Sequence, residues 1–212
     1  MRVIIIVPLL VVFVLLALTA CATPRNRIKA PTIEATETVL SAKKQLAKIK
    51  EAIAEKRLRY ADDLYLSLRG AYSEANEVAD AILLLAQAHI DAEEYLLSKY
   101  YADSYIVDYP QGRRVDKAAF LRVKSVFLQF QSSQTDPSLQ KQMHEDCKVF
   151  LKHFAKSTYV SQVKKMYAQF KKMLFSKNEE IALAYEKMGK TKAAQYYRDK
   201  NRHKGTFVHA RR

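Results

Sequence analysis

The residues best equipped for chemistry in this 212-residue chain are His144, Glu145, Asp146 and Cys147, which put an imidazole, two carboxylates and a thiol within about one helical turn. His144 and Cys147 stand at i and i+3 and could face a single metal ion. Met143, Cys147, Phe150, Leu151 and Phe154, however, form an apolar stripe that places the thiol in a core as a small hydrophobe. The other histidines, at 89, 153, 203 and 209, show no ligand spacing, so no metal site is expected. Asp62-Asp63 and Glu93-Glu94 invite an acid/base reading, but neighbours on a helix point about 100° apart, and both pairs read as solvated surface or turn. No Gly-rich phosphate loop, nucleophile elbow or zinc helix occurs. Neither an enzyme nor a cofactor is expected.

Cys21 carries the one modification the sequence suggests. Met1 and Arg2 precede an apolar run from Val3 to Leu18, interrupted by Pro8, and then Leu18-Thr19-Ala20-Cys21. The run is shorter than the ~20 residues a spanning helix needs, and no basic stop-transfer cluster follows it. Its end resembles the lipobox of bacterial lipoproteins, whose cysteine is alkylated with diacylglycerol before cleavage. Residues 1–20 are then a signal peptide, and Cys21 is the lipidation site. Several acyl chains at ~0.8 kcal/mol per buried methylene make a firm anchor. Ala22 stands where an Asp would suggest inner-membrane retention, so the expected location is the cell outer membrane, lipid-anchored on its periplasmic face. Cys147 is left without a disulfide partner, and the fold must stand without staples.

Between Cys21 and residue 38 the chain is Pro, Thr and charge, which reads as a flexible tether reaching at most ~55 to 60 Å at ~3.3 to 3.6 Å per residue. From Val39 to Lys200 strand-like alternation is absent and apolar residues recur at three and four, as in Val78, Ile82, Leu85 and His89, or Val149, Phe150 and Phe154. The chain is predicted to be all-α. Breakers at Gly70, Tyr109-Pro110-Gln111-Gly112, Thr135-Asp136-Pro137, Ser157 and Gly189-Lys190 space the helices like those of helical hairpin repeats. Ile82 to Pro110 fits the tetratricopeptide pattern, with Leu85, Ala86, Ala88, Tyr95, Ser98 and Pro110 at its marked positions. Ala182, Ala184, Tyr185, Gly189 and Ala194 fit it again. Helices are expected over Val39–Ala54, Asp116–Phe130, Leu139–Phe154 and Tyr159–Met188. The fold class is tetratricopeptide-like hairpins, about four of them over residues 39–200, stacked as a short superhelix, with a basic tail at 201–212.

The net charge of +14 is uneven. Residues 22–140 hold 17 basic and 16 acidic side chains, whereas 141–212 hold 18 and 6. Such asymmetry points to an anionic partner for the C-terminal third. Lys164, Lys165, Lys171 and Lys172 alternate with Met166, Tyr167, Phe170 and Met173 as in an amphipathic helix, and form a candidate basic partner surface. Acidic protein, anionic glycolipid and DNA are not separated by these residues, nucleic acid being the least expected. Tyr95, Tyr101, Tyr105 and Tyr185 are candidates to line a groove for extended peptide, an apolar ring with a hydroxyl suiting such a chain.

The lipobox, the Tyr109-Pro110 closure, the Asp136-Pro137 step, Phe154-Ala155-Lys156-Ser157-Thr158-Tyr159, and the helix into Ile181-Ala182-Leu183-Ala184-Tyr185 followed by Gly189 and Ala193-Ala194 together resemble the BamD (ComL) family. These are lipoproteins of the outer-membrane β-barrel assembly machinery. The resemblance implies a non-enzymatic periplasmic scaffold that joins a membrane β-barrel assembly protein (BamA-like) and receives unfolded outer-membrane proteins. Two features depart from the family pattern: Ala155 replaces a junction proline, and a fifth repeat is not expected after Lys200. Alternatives with the same anchor are a pilotin-like repeat lipoprotein for a secretin, and a binder of an anionic ligand such as nucleic acid or cell-wall polymer.

Overall fold

The computed structural model describes residues 41–205. The expected signal peptide, Cys21, the tether to residue 38 and the last seven residues of the expected basic tail lie outside the described residues. Among the described residues eight α-helices follow one another: α1 (Ala42–Ala54), α2 (Leu58–Ala71), α3 (Asn76–Asp91), α4 (Tyr95–Asp108), α5 (Val115–Ser132), α6 (Pro137–His153), α7 (Val160–Lys187) and α8 (Thr191–Gly205). No strand occurs among the described residues, and no helix there is long and apolar enough to cross a membrane. The predicted helix ends agree with these within a few residues. One boundary moves: α8 runs through Gly205, so residues 201–205 continue the helix where a tail was expected.

Sequence chemistry repeats at the turns. In α1–α2, α3–α4 and α7–α8 the middle residue of a three-residue link takes the left-handed conformation, Lys56 at φ 59°, Glu93 at 63° and Gly189 at 69°. In each, the residue after it donates its N–H back five residues, Arg57 to Ala52, Glu94 to His89 and Lys190 to Tyr185, at 2.8, 2.8 and 2.9 Å. This closure satisfies carbonyls the helix end would otherwise leave orphaned. Only the last turn uses glycine, the residue best suited to that conformation.

Between hairpins an aromatic residue ends the helix: Tyr72, Tyr109 and Phe154 each donate N–H to the carbonyl four residues back and accept from the N–H three residues on. Gly112 follows Tyr109 because a Cβ there would meet the Tyr105 hydroxyl at 2.9 Å and the Tyr109 carbonyl oxygen at 3.0 Å. The α5–α6 link, residues 133–136, is different. Asp136 caps α6 by accepting the Ser138 N–H at 2.7 Å, with Pro137 opening the helix.

First helices of the hairpins touch in series, α1 on α3, α3 on α5 and α5 on α7, while α2, α4 and α6 each pack between two first helices. Small residues allow the approach: Ala81, Ala86, Ala102, Ala118 and Ala182 are fully buried. Ser98 on α4 and Ser125 on α5 meet at 2.7 Å in the interior, and Ser125 also donates to the Leu121 carbonyl, so both hydroxyls are satisfied. Ile49, Leu68, Ile82, Leu85, Leu121, Phe130, Met143, Phe150 and Phe170 complete a continuous core along the array. At about 25 cal/mol per Å² of apolar surface, this burial is the main stabilising contribution.

Candidate interaction surfaces

Among the described residues, α2, α4 and α6 make no close backbone approach to one another. Polar side chains bridge them. Across α2, α3 and α4, His89 is buried with its Nδ1 2.6 Å from Glu94 Oε2 and its Nε2 3.1 Å from Asp62 Oδ1. The Tyr101 hydroxyl donates to the same Asp62 oxygen at 2.7 Å, and its ring stacks on the imidazole with centroids 5.4 Å apart. Burial disfavours charge on His89, but the two carboxylate hydrogen bonds outweigh it and raise its pKa above the ordinary value. With both ring nitrogens facing carboxylates, the imidazolium is the form that satisfies both contacts. Arg69 extends the bridge, pairing with Asp108 at 3.0 Å and donating to the Tyr65 hydroxyl at 3.3 Å. Asp62, 24% exposed, is therefore a half-buried bridging group and departs from the solvated surface its doubling in the sequence suggested, whereas Asp63, Glu93 and Glu94 are exposed and Glu94 meets His89 from the α3–α4 turn. The signal that could have found them was the apolar register of His89, a histidine that a core accepts only with partners.

A second bridge crosses α4, α5 and α6. Lys99 pairs with Asp103 at 2.7 Å, Arg122 lies 3.3 Å from Asp103 and 2.9 Å from Asp146, and Asp146 is almost wholly buried. Burial raises the Asp146 carboxyl above the usual range against the pull of Arg122. Beside this chain of charges a groove of ≈ 420 Å³ opens between α4 and α6, with Ile106, Val115, Val149, Phe150 and Phe154 on its walls.

The four tyrosines proposed from sequence to hold extended peptide do not share one surface. Tyr101 and Tyr105 are buried, at 5% and 2% exposure, which leaves neither ring free to meet a ligand. Tyr95 is half-buried at the start of α4, and Tyr185 stacks on Tyr197 within the α7–α8 pair. The groove instead lies between α4 and α6, where aliphatic and phenylalanine side chains share its walls with Gln111, Arg122, Asp146 and His153. The metal-like quartet is split by the fold. His144 Nδ1 meets the Tyr167 hydroxyl at 2.7 Å, and Cys147 is fully buried with its thiol pushed up to about 12 by burial and by Asp146. No cluster of three potential metal ligands occurs among the described residues.

Lys164, Lys165, Lys171 and Lys172 are all exposed on α7, whose opposite face buries Val163, Phe170 and Leu174. They share one side of the helix with Phe175, which is 54% exposed. Lys171 also lies over the Tyr167 ring, 4.9 Å from its centroid.

Two comparisons bear on this array. The family model YfiO, described as outer membrane lipoprotein, matches residues 34–203 and so spans every described helix but the last residues of α8. The outer membrane protein assembly factor BamD of Helicobacter pylori is 29% identical over 140 residues, which is 66% of this chain and 64% of that relative. The match therefore spans a little under two thirds of the relative's length.

Proposed function

We propose, on the premise that this chain belongs to the YfiO family of outer membrane lipoproteins, that it is a non-enzymatic scaffold of the β-barrel assembly machinery. In this reading acyl chains on Cys21 hold it to the periplasmic face of the outer membrane, and the hairpin array joins a membrane β-barrel assembly protein while engaging unfolded outer-membrane proteins. The observation that carries the reading is the extent of the family match, which runs through the whole stacked array and not through one hairpin. A relative named as an outer membrane protein assembly factor supports it. The physical design is compatible: half-buried polar bridges fix how neighbouring helices sit, and a preorganised support loses little entropy when partners dock.

Depletion in the cell tests the role. Many outer-membrane β-barrels should fall together, and a membrane β-barrel protein should copurify with the chain in mild detergent. Loss of one barrel or one pilus component alone, with all others at normal level, would instead indicate a pilotin-like role.

A further inference from the structure

From Cys147 to Asn178 the chain contains no Asp or Glu and eight lysines. On α7 this excess is focused. At 100° per residue Lys164, Ala168, Lys171, Lys172, Phe175 and Lys165 fall within about a third of the helix circumference. Among the described residues Lys164, Lys165 and Lys172 enter no ion pair. The nearest acids along the helix are already engaged, Glu179 by Arg198 at 3.6 Å and Glu180 by Lys177 at 2.9 Å.

We infer that this face of α7 rests on the anionic phospholipid surface of the membrane to which the family is attached, with Phe175 entering the headgroup layer. Charge complementarity names the class of partner, and two details favour a bilayer over an acidic protein. All eight basic residues are lysines, hydrated point charges suited to a diffuse anionic surface, where pairing with carboxylates favours arginine. A large apolar ring at the centre of the cationic sector matches interfacial helices, which combine lysines with an aromatic that dips below the headgroups. Each lysine near an anionic surface strengthens attachment about fivefold, as expected for ~1 kcal/mol per charge. Together with a lipid anchor they would fix the orientation of the array and not merely its distance from the membrane. This inference rests on membrane attachment and not on barrel assembly, so its failure would leave the assembly reading standing.

The chain contains no tryptophan, so Phe175→Trp supplies a single reporter on the exposed face. The lipidated full chain is reconstituted in vesicles of phosphatidylethanolamine with a quarter phosphatidylglycerol, and separately in phosphatidylcholine alone. The anchor inserts in both. A blue-shifted emission quenched by brominated lipid is expected only with phosphatidylglycerol, reversed by 0.5 M salt and lost when Lys164, Lys165, Lys171 and Lys172 are all changed to Gln. Amine-reactive footprinting of the unsubstituted chain should show the same four lysines protected severalfold in the anionic vesicles, which guards against a misfolded variant. A tryptophan that stays water-exposed in both vesicles, or shifts equally in both, would overturn the inference. So would lysine protection that requires added barrel-assembly protein and ignores lipid charge, because the surface would then belong to an acidic protein.

Discussion

Replacing His89 with Phe tests whether the bridge across α2, α3 and α4 is held by an imidazolium. Phenylalanine keeps an aromatic ring against Tyr101 but removes both N–H donors. Hydrogen bonds to charged groups contribute about 1.5 to 3 kcal/mol each when buried. The Asp62 side chain is only 24% exposed and keeps most of that value, whereas Glu94 is 49% exposed and its share is cut by solvent screening. The sum is a destabilisation of about 2 to 3 kcal/mol at pH 6. Its pH dependence is the sharper test. The folded pKa of His89 is raised above the unfolded value, so the stabilisation is fully present below ~6.5 and fades as pH rises through the folded pKa. Urea unfolding of both proteins at pH 6 and pH 9 should therefore show the gap narrowing at the higher pH. A gap that is constant, or wider at pH 9, would refute a charged His89 and leave a neutral packing role.

Four further outcomes are expected. Gly189→Ala should destabilise by about 1 kcal/mol, because a Cβ there meets open space and the cost is purely that of φ +69°; Lys56→Gly, at the equivalent turn, should be neutral to stabilising by about 0.5 kcal/mol in the same melts. Cys147 should resist thiol reagents at pH 8 in the native protein and react at once in denaturant, as a buried thiol raised to about 12 requires; prompt native labelling would contradict the core placement. Cys21→Ala should leave far-ultraviolet circular dichroism unchanged while releasing the protein from the membrane fraction, and tight retention would show that something other than acyl chains anchors it.

Helix positions were legible because each amphipathic helix carries its own period, and Tyr109-Pro110, Asp136-Pro137 and Gly189 mark ends by local sterics that need no tertiary knowledge. Ser98 and Ala86 were legible for the same reason, a small residue in a register that must face a helix. The turns at Lys56 and Glu93 were hidden, since neither residue type announces a positive φ; only the repeated geometry beside Gly189 exposes them. Polar bridges were hidden too. Asp62, His89 and Tyr101 are far apart in sequence and meet only because α2 and α4 flank α3. The tyrosine groove did not follow from sequence because aromatic residues at helical spacing serve packing and binding equally well, and burial alone separates the uses.

The two halves of the array handle charge in opposite ways, and the contrast bears on what each half can offer a partner. In α2 to α6, buried or half-buried acids are matched across helices: Asp62 by His89, Asp108 by Arg69, and both Asp103 and Asp146 by Arg122. A matched pair removed from water costs desolvation that its mutual attraction only partly repays, so such bridges are better understood as fixing how helices sit than as adding net stability. On α7, Lys164, Lys165 and Lys172 are exposed and enter no ion pair among the described residues, and their self-repulsion is weak because water and salt screen it over a Debye length of about 8 Å. An unmatched surface charge costs the fold little and remains available for an external anion, whereas an internally matched one is already engaged. Long-range attraction to anionic partners is therefore expected to reside in the α7 hairpin, while α2 to α6 supply rigid, nearly neutral faces on which shape, and the apolar groove between α4 and α6 in particular, must do the selecting.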